Sequence, residues 1–429
     1  MIKFRTLFIA LVLFSCTMHE ALGMIYVNRY LPLLRRTFSR SCLKRTSPCS
    51  PCLRHTSALF GDLFIMTANE AFAKGEDNTE IGLFEMFGDY DEGRMEAAIA
   101  LLGLPNPFDA NALMRFKGQE ILWNMNGKIA SEGFALQYDQ HIWRYFSGGF
   151  SCFFMQLFSK NDFSLKAKTI NALSITPDDQ IRLDQARREM NQSVGLEAPT
   201  YSRAGFSDID LYLRMGNVWD YVYKLKRVDM GVSLGAIIPS GLTRDILNPA
   251  SIPFGADGFW GLYVAGDLEV ELKEDWIVGL YLRFNQCFEK RVQERLPIAN
   301  EQQLYAATQG SVKIDPGFTS VIAPYAILNG IREGLGIQAQ YTLIFHENDV
   351  WKQLQQPNQL PATLTQVTKR SRWNAEYMTV NFFYDFSKVR DPYEYPPIVS
   401  FKWDIPLKLL IAKRASKTNR VSLGIELNY

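Results

Sequence analysis

Few side chains in this 429-residue sequence are equipped for catalysis. Beyond the first 23 residues only His55, His141 and His346 remain of four histidines, too scattered to supply a general base with an orienting partner. Cys42, Cys49, Cys52 and His55 have the spacing of a zinc knuckle, but no second knuckle completes it. In an oxidising compartment, a local disulfide plus a spare thiol is the simpler reading. Asp89, Asp91 and Glu92 lack the spacing of a calcium loop and suit a helix start instead. No glycine loop for phosphate stands out. The expectation is therefore no enzyme, no metal and no cofactor.

What the chain does offer is charge at alternate positions in otherwise apolar segments. Asp208, Asp210 and Arg214 share one parity, as do Asp267, Glu269 and Glu271, then Arg283 and Glu289, and later Lys402, Asp404 and Lys408; Asp385 and Glu426 extend the pattern. Side chains alternate across a strand, so each set makes one polar face. Such faces either zip together by ion pairs, as Asp267 with Arg283 would across a tight turn, or line water.

These faces need strands to hold them. Period-2 alternation marks twelve segments, at 57–69, 128–141, 147–161, 206–220, 228–240, 259–272, 276–290, 317–328, 334–347, 372–387, 398–412 and 420–429. In the clearest, Trp276, Val278, Leu280, Leu282 and Phe284 oppose Gly279, Tyr281, Arg283 and Asn285. Many exceed ten residues, which suits a tilted bilayer crossing. Long connections at about 70–127, 162–205, 241–258, 291–316 and 348–371 alternate with short ones to the carboxyl end. Trp143, Tyr145, Trp219, Tyr221, Tyr223, Trp276, Tyr393, Tyr395 and Tyr429 gather on the short-turn side, and Trp260, Phe288, Phe345 and Trp373 on the long-loop side, as two interfacial girdles. Asp91 caps a helix from Glu92 to Gly103, and Thr176-Pro177-Asp178-Asp179 starts another ending near Asn191. The long loops holding these helices either fold inward as a constriction or form an outer cap. A secreted soluble β-sandwich would also alternate, but it needs neither the loop asymmetry nor a terminal aromatic.

The final segment carries a resemblance. Val421, Leu423, Ile425, Leu427 and Tyr429 form an apolar row, and Ser422, Gly424, Leu427 and Tyr429 occupy the places held by a polar residue, glycine, an apolar residue and an aromatic in the last strand of bacterial outer-membrane β-barrels. The chain resembles that class over most of residues 57–429. The resemblance implies an all-β, up-and-down transmembrane barrel of about twelve antiparallel strands in the cell outer membrane, with long loops outside. It also implies outer-membrane lipid and the barrel assembly machinery as partners, with Ser422, Gly424, Leu427 and Tyr429 as the assembly signal. Outer-membrane phospholipases place His and Ser two apart on an outward strand; here only His55-Thr56-Ser57 has that spacing, in the wrong place.

The amino end fits that address. Residues 6–15 are apolar, follow Lys3 and Arg5 and precede Ala21-Leu22-Gly23, so 1–23 is expected to be a signal peptide; a lipoprotein cut before Cys16 fits less well because of Phe14. Segment 24–56 is a basic, cysteine-containing periplasmic leader, and residues 62–429 carry about −7. That acidic body argues against nucleic acid. The expected pore-lining residues are Asp208, Asp210, Arg214, Asp267, Glu269, Arg283, Asp385, Lys402, Asp404, Lys408 and Glu426. The expected function is a diffusion channel for small polar solutes with mild cation preference, and the alternative is a surface-exposed structural or adhesive barrel with a closed lumen.

Overall fold

The structure is a computed structural model and describes residues 57–73, 80–143, 145–221, 225–272, 276–354, 360–386 and 397–428. Segment 1–23, the leader 24–56, Tyr223, Tyr393, Tyr395 and Tyr429 lie outside these residues.

Twelve strands close into one antiparallel ring. They are β1 (Ser57–Ala68), β2 (Leu122–Trp143), β3 (Phe146–Leu165), β4 (Ile209–Asp220), β5 (Leu225–Ile238), β6 (Gly261–Leu272), β7 (Trp276–Cys287), β8 (Thr319–Arg332), β9 (Leu335–His346), β10 (Trp373–Asp385), β11 (Ile398–Leu407) and β12 (Asn419–Asn428). Each pairs with its neighbours in sequence, and β12 returns to β1 from Ala58↔Asn428 to Thr67↔Asn419. Closure leaves no unpaired edge, which hydrocarbon would not tolerate. The expected strand set and the alternation of loop lengths are both present.

Alternation sorts the two faces. Leu63 and Ile65 on β1, Leu213 and Met215 on β4, Leu262 on β6 and Leu423 and Ile425 on β12 are exposed on the outside, while their polar neighbours are buried inside. A sheath of this kind is stable against lipid tails and unstable against water. Trp143, Trp219, Tyr221 and Trp276 are exposed at the short-turn end, with Trp260 and Phe288 at the other. Trp373 departs from the expected girdle. It points into the barrel, fully buried and stacked on His346 with ring centroids 5.2 Å apart.

β2 and β3 have 22 and 20 residues, well beyond the roughly 9–11 that a tilted crossing needs. Their extra length stands above the membrane and carries a cap. The cap contains α1 (Glu92–Leu101), α2 (Ala167–Leu173) and α3 (Pro177–Ser193). The expected starts hold: Asp91 accepts from the Gly93 amide at 3.0 Å, and Thr176 and Asp179 form a reciprocal capping box. Leu83, Phe84, Met95, Ile99, Met125 and Tyr305 belong to one buried cluster that joins the cap to the inner faces of β2 and β3. Gln302 fastens it by donating to the carbonyls of Phe84 and Gly88 at 2.9 and 3.0 Å. The two expected alternatives meet here: the long loops form a cap, and it packs inward against the inner faces of the strands at the mouth of the barrel.

Candidate functional site in the barrel lumen

Inside the β4–β7 wall, Arg214 on β4 donates from Nε to Asp267 Oδ1 on β6 at 2.8 Å and from Nη2 to Asp229 Oδ1 on β5 at 2.8 Å. Asp210 on β4 takes Arg283 Nη2 from β7 at 2.8 Å and the hydroxyl of Tyr263 on β6. The Arg283 guanidinium lies 3.6 Å from the centre of the Tyr263 ring and donates to Asn285 Oδ1 at 2.6 Å. Tyr325 on β8 donates to Glu269 on β6 at 3.0 Å.

Several of these links skip a strand, and glycine on the intervening strand is what permits it. Tyr263 reaches Asp210 over Gly235 of β5, and Tyr325 reaches Glu269 over Gly279 of β7; a Cβ on either glycine would collide with the tyrosine ring. The large side chains therefore lie flat along the wall instead of across the axis.

The opposite wall has its own pairs. Lys402 on β11 donates to Asp62 on β1 at 2.8 Å and sits 4.6 Å from the Phe60 ring centre. Asp404 accepts from Arg420 at 2.6 Å and from Thr379 at 2.6 Å. A run of neutral groups, Gln338, Gln340, Thr342 and Asn381, fills the wall between β9 and β10. Buried ion pairs of this kind offset desolvation rather than add much stability, but removing one partner is costly.

Most of the expected lining residues are brought to this interior. Asp210, Arg214, Asp267, Glu269, Arg283, Asp385, Asp404 and Glu426 are buried on the inner face, and Lys402 is half-buried there. Asp208, just before β4, borders a cavity of the lumen, and its carboxylate also accepts from the Gly241 amide at 3.1 Å and from the Ala256 amide, so it braces an outer loop as well. Lys408 lies one residue beyond β11. The expected pairing of Asp267 with Arg283 is corrected: the two are diagonal neighbours, but each binds a β4 residue instead. Ser422 and Gly424 face inward on β12 and Leu427 faces outward.

A cavity with about 590 Å³ of atom-free space, counting its mouth, opens on the inner face of β1, β2 and β3. Phe60, Ala135, Phe153 and Ile237 supply apolar lining, and Gln137, Ser151, Ser207, Asp208, Asp210 and Arg283 supply polar lining. Gln137, Ser151, Asp62, Asp229 and Arg420 are inward residues outside the expected set, and all five follow from the parity of their strands.

Above the lumen, Glu92 of α1 is buried against β2 and accepts from the Trp123 indole at 2.9 Å. Burial pushes its carboxyl up to about 8, against the lowering effects of Trp123 and Arg187. Among the described residues no cluster of His, Cys, Asp and Glu is arranged to hold a metal.

No family model matches the chain, and no curated protein matches it. Solved structures do. An outer membrane channel from Pseudomonas putida F1 is 8% identical with a TM-score of 0.48, covering 90% of this chain and 100% of that one. A Pseudomonas aeruginosa FadL homologue is 10% identical over 88% of this chain and 91% of that one, with a TM-score of 0.35, and the NanC porin is 9% identical over 70% and 94%, with a TM-score of 0.30. The assignment to the outer-membrane barrel architecture rests on the closed twelve-strand ladder itself.

Proposed function

We propose that the protein is an outer-membrane diffusion channel that passes small solutes along a narrow lumen, with a weak preference for cations. The observation that carries this reading is the cavity inside the ring, bordered by polar and apolar side chains. Inward acids Asp62, Asp139, Asp210, Asp229, Asp267, Glu269, Glu271, Asp385, Asp404 and Glu426 outnumber Arg214, Arg227, Arg283, Lys402 and Arg420 among the described residues, which supports the cation preference. The sheath of lipid-facing side chains supports the membrane address, and the ordered closure of β12 on β1 supports recognition of the last strand by the assembly machinery. A second reading is favoured by the mutual neutralisation of lumen charges beneath the cap: a closed barrel that displays its outer loops.

Planar-bilayer conductance separates the two, after heat-shifted gel mobility has shown that the barrel is folded. Discrete, salt-scaled steps with a reversal potential shifted toward the cation are expected. Silence from folded protein would reject the channel and leave the display barrel.

A further inference from the structure

We propose that the lumen cavity is a binding subsite for a small, uncharged, mostly apolar molecule carrying one hydroxyl or similar hydrogen-bonding group, with Gln137 as its polar anchor. The inference deepens the channel reading and rests on it for physiological meaning, though binding can be measured without conduction.

Gln137 faces inward from β2 and is only 5% exposed. Its Nε2 is 3.4 Å from the Tyr212 hydroxyl, and its Oε1 has no hydrogen-bond partner although it is buried. Leaving such an atom unsatisfied costs about 1–3 kcal/mol, a cost a ligand donor would remove. The residue borders the cavity, so a solute lying there can reach it.

The rest of the lining decides what that solute is. Phe60, Ala135, Phe153 and Ile237 offer a surface for a ring or short aliphatic body. The three charged residues that border it, Asp208, Asp210 and Arg283, are already engaged: Asp210 and Arg283 with each other at 2.8 Å, with Tyr263 on the second carboxylate oxygen and one face of the guanidinium, and Asp208 with the amides of Gly241 and Ala256. A charged solute would lose its hydration here without gaining a dedicated counter-ion. An uncharged one with a single polar group meets both halves of the lining.

The test uses the full-length folded barrel in detergent and two probes of nearly equal shape, 3-fluorobenzyl alcohol and 3-fluorotoluene, with affinities read by fluorine NMR titration. Each probe's partition into protein-free micelles is measured first and sets its free concentration, so affinities of the two probes are compared on one scale. The alcohol should bind the native barrel at least about tenfold more tightly than the hydrocarbon, as expected for a site holding a buried polar group ready for a hydroxyl. Gln137→Leu and Gln137→Met should each bring the ratio to one or below, and Ala135→Phe should weaken both probes by filling the space. Heat-shifted gel mobility identifies the variants that fold, and either Gln137 variant suffices. Equal binding of both probes to native protein, no binding above the micelle background, or a ratio that survives removal of Gln137 would overturn the subsite. Salt-scaled current steps without probe binding would reject the subsite and keep the channel; probe binding by a silent barrel would do the reverse.

Discussion

The Arg214 guanidinium on β4 passes over Gly231 of β5 to reach Asp267 on β6, with Nε 2.8 Å from Oδ1. A Cβ at Gly231 would strike the guanidinium, so the glycine is the groove through which the arginine crosses. Both charged groups are buried, and Asp229 closes the cluster. Three successive strands are thereby tied by side chains as well as by their ladders.

Replacing Arg214 by Leu should destabilise the barrel by about 3–5 kcal/mol, because two buried carboxylates lose their shared cation. Urea-dependent folding into detergent, followed by the heat-shifted gel band, measures this. The triple variant Arg214→Leu, Asp229→Asn, Asp267→Asn should recover most of the loss, since no charge is then left unpaired. A single variant as stable as the native protein would mean that the cluster carries no net constraint.

The cap should respond to pH through Glu92. Its carboxyl titrates near 8 in the folded protein against an ordinary 4.5, with burial as the main cause. Between those values the folded state binds the proton that the unfolded state has released. Glu92's contribution is therefore complete below about 4.5, declines as pH rises, and is gone above about 8. The slope approaches about 1.4 kcal/mol per pH unit inside that window. Limited proteolysis of the cap should accelerate at least about tenfold from pH 6 to pH 9, and Glu92→Gln, which keeps a neutral partner for Trp123, should flatten the dependence. An unchanged profile in the variant would remove Glu92 as the responsible group.

The strands were legible because alternation is local, and each polar row follows from the parity of a single segment. Parity even held more than was taken from it: Trp373 and Asp385 are twelve residues apart on β10, so the parity that places Asp385 inside places Trp373 there too. Partner choice was not legible. Asp267 and Arg283 look matched from their shared turn, yet the crossing over Gly231 and the stacking on Tyr263 send each to β4. The cap divides the same way. Asp91 and Thr176 announce their helices through neighbouring amides, whereas joining the outer loops into one cap depends on contacts such as Gln302 to Phe84 that lie more than two hundred residues apart.

Glu376 accounts for the early end of β11, which stops at Leu407 although alternation continues to 412. It lies on the outward parity of β10, where a carboxylate facing lipid would be costly. The carboxylate instead collects the amides of Leu409 at 2.9 Å, Leu410 at 2.9 Å and Ala412 at 2.7 Å, together with the Ile411 amide and the Tyr341 hydroxyl at 2.7 Å. Drawn around it, the chain leaves the ladder and turns Leu409 and Leu410 outward. Glu376→Gln replaces one acceptor oxygen by a donor amid five donors, and Glu376→Ala removes both oxygens. Each should loosen the 408–413 turn by about 2–4 kcal/mol through lost charge-assisted bonds. Protease added to intact cells should then cut the variants between residues 408 and 418 while native protein resists, with bilayer current steps unchanged because the carboxylate faces away from the lumen. Resistance of both variants to cleavage would show that β11 ends there for another reason.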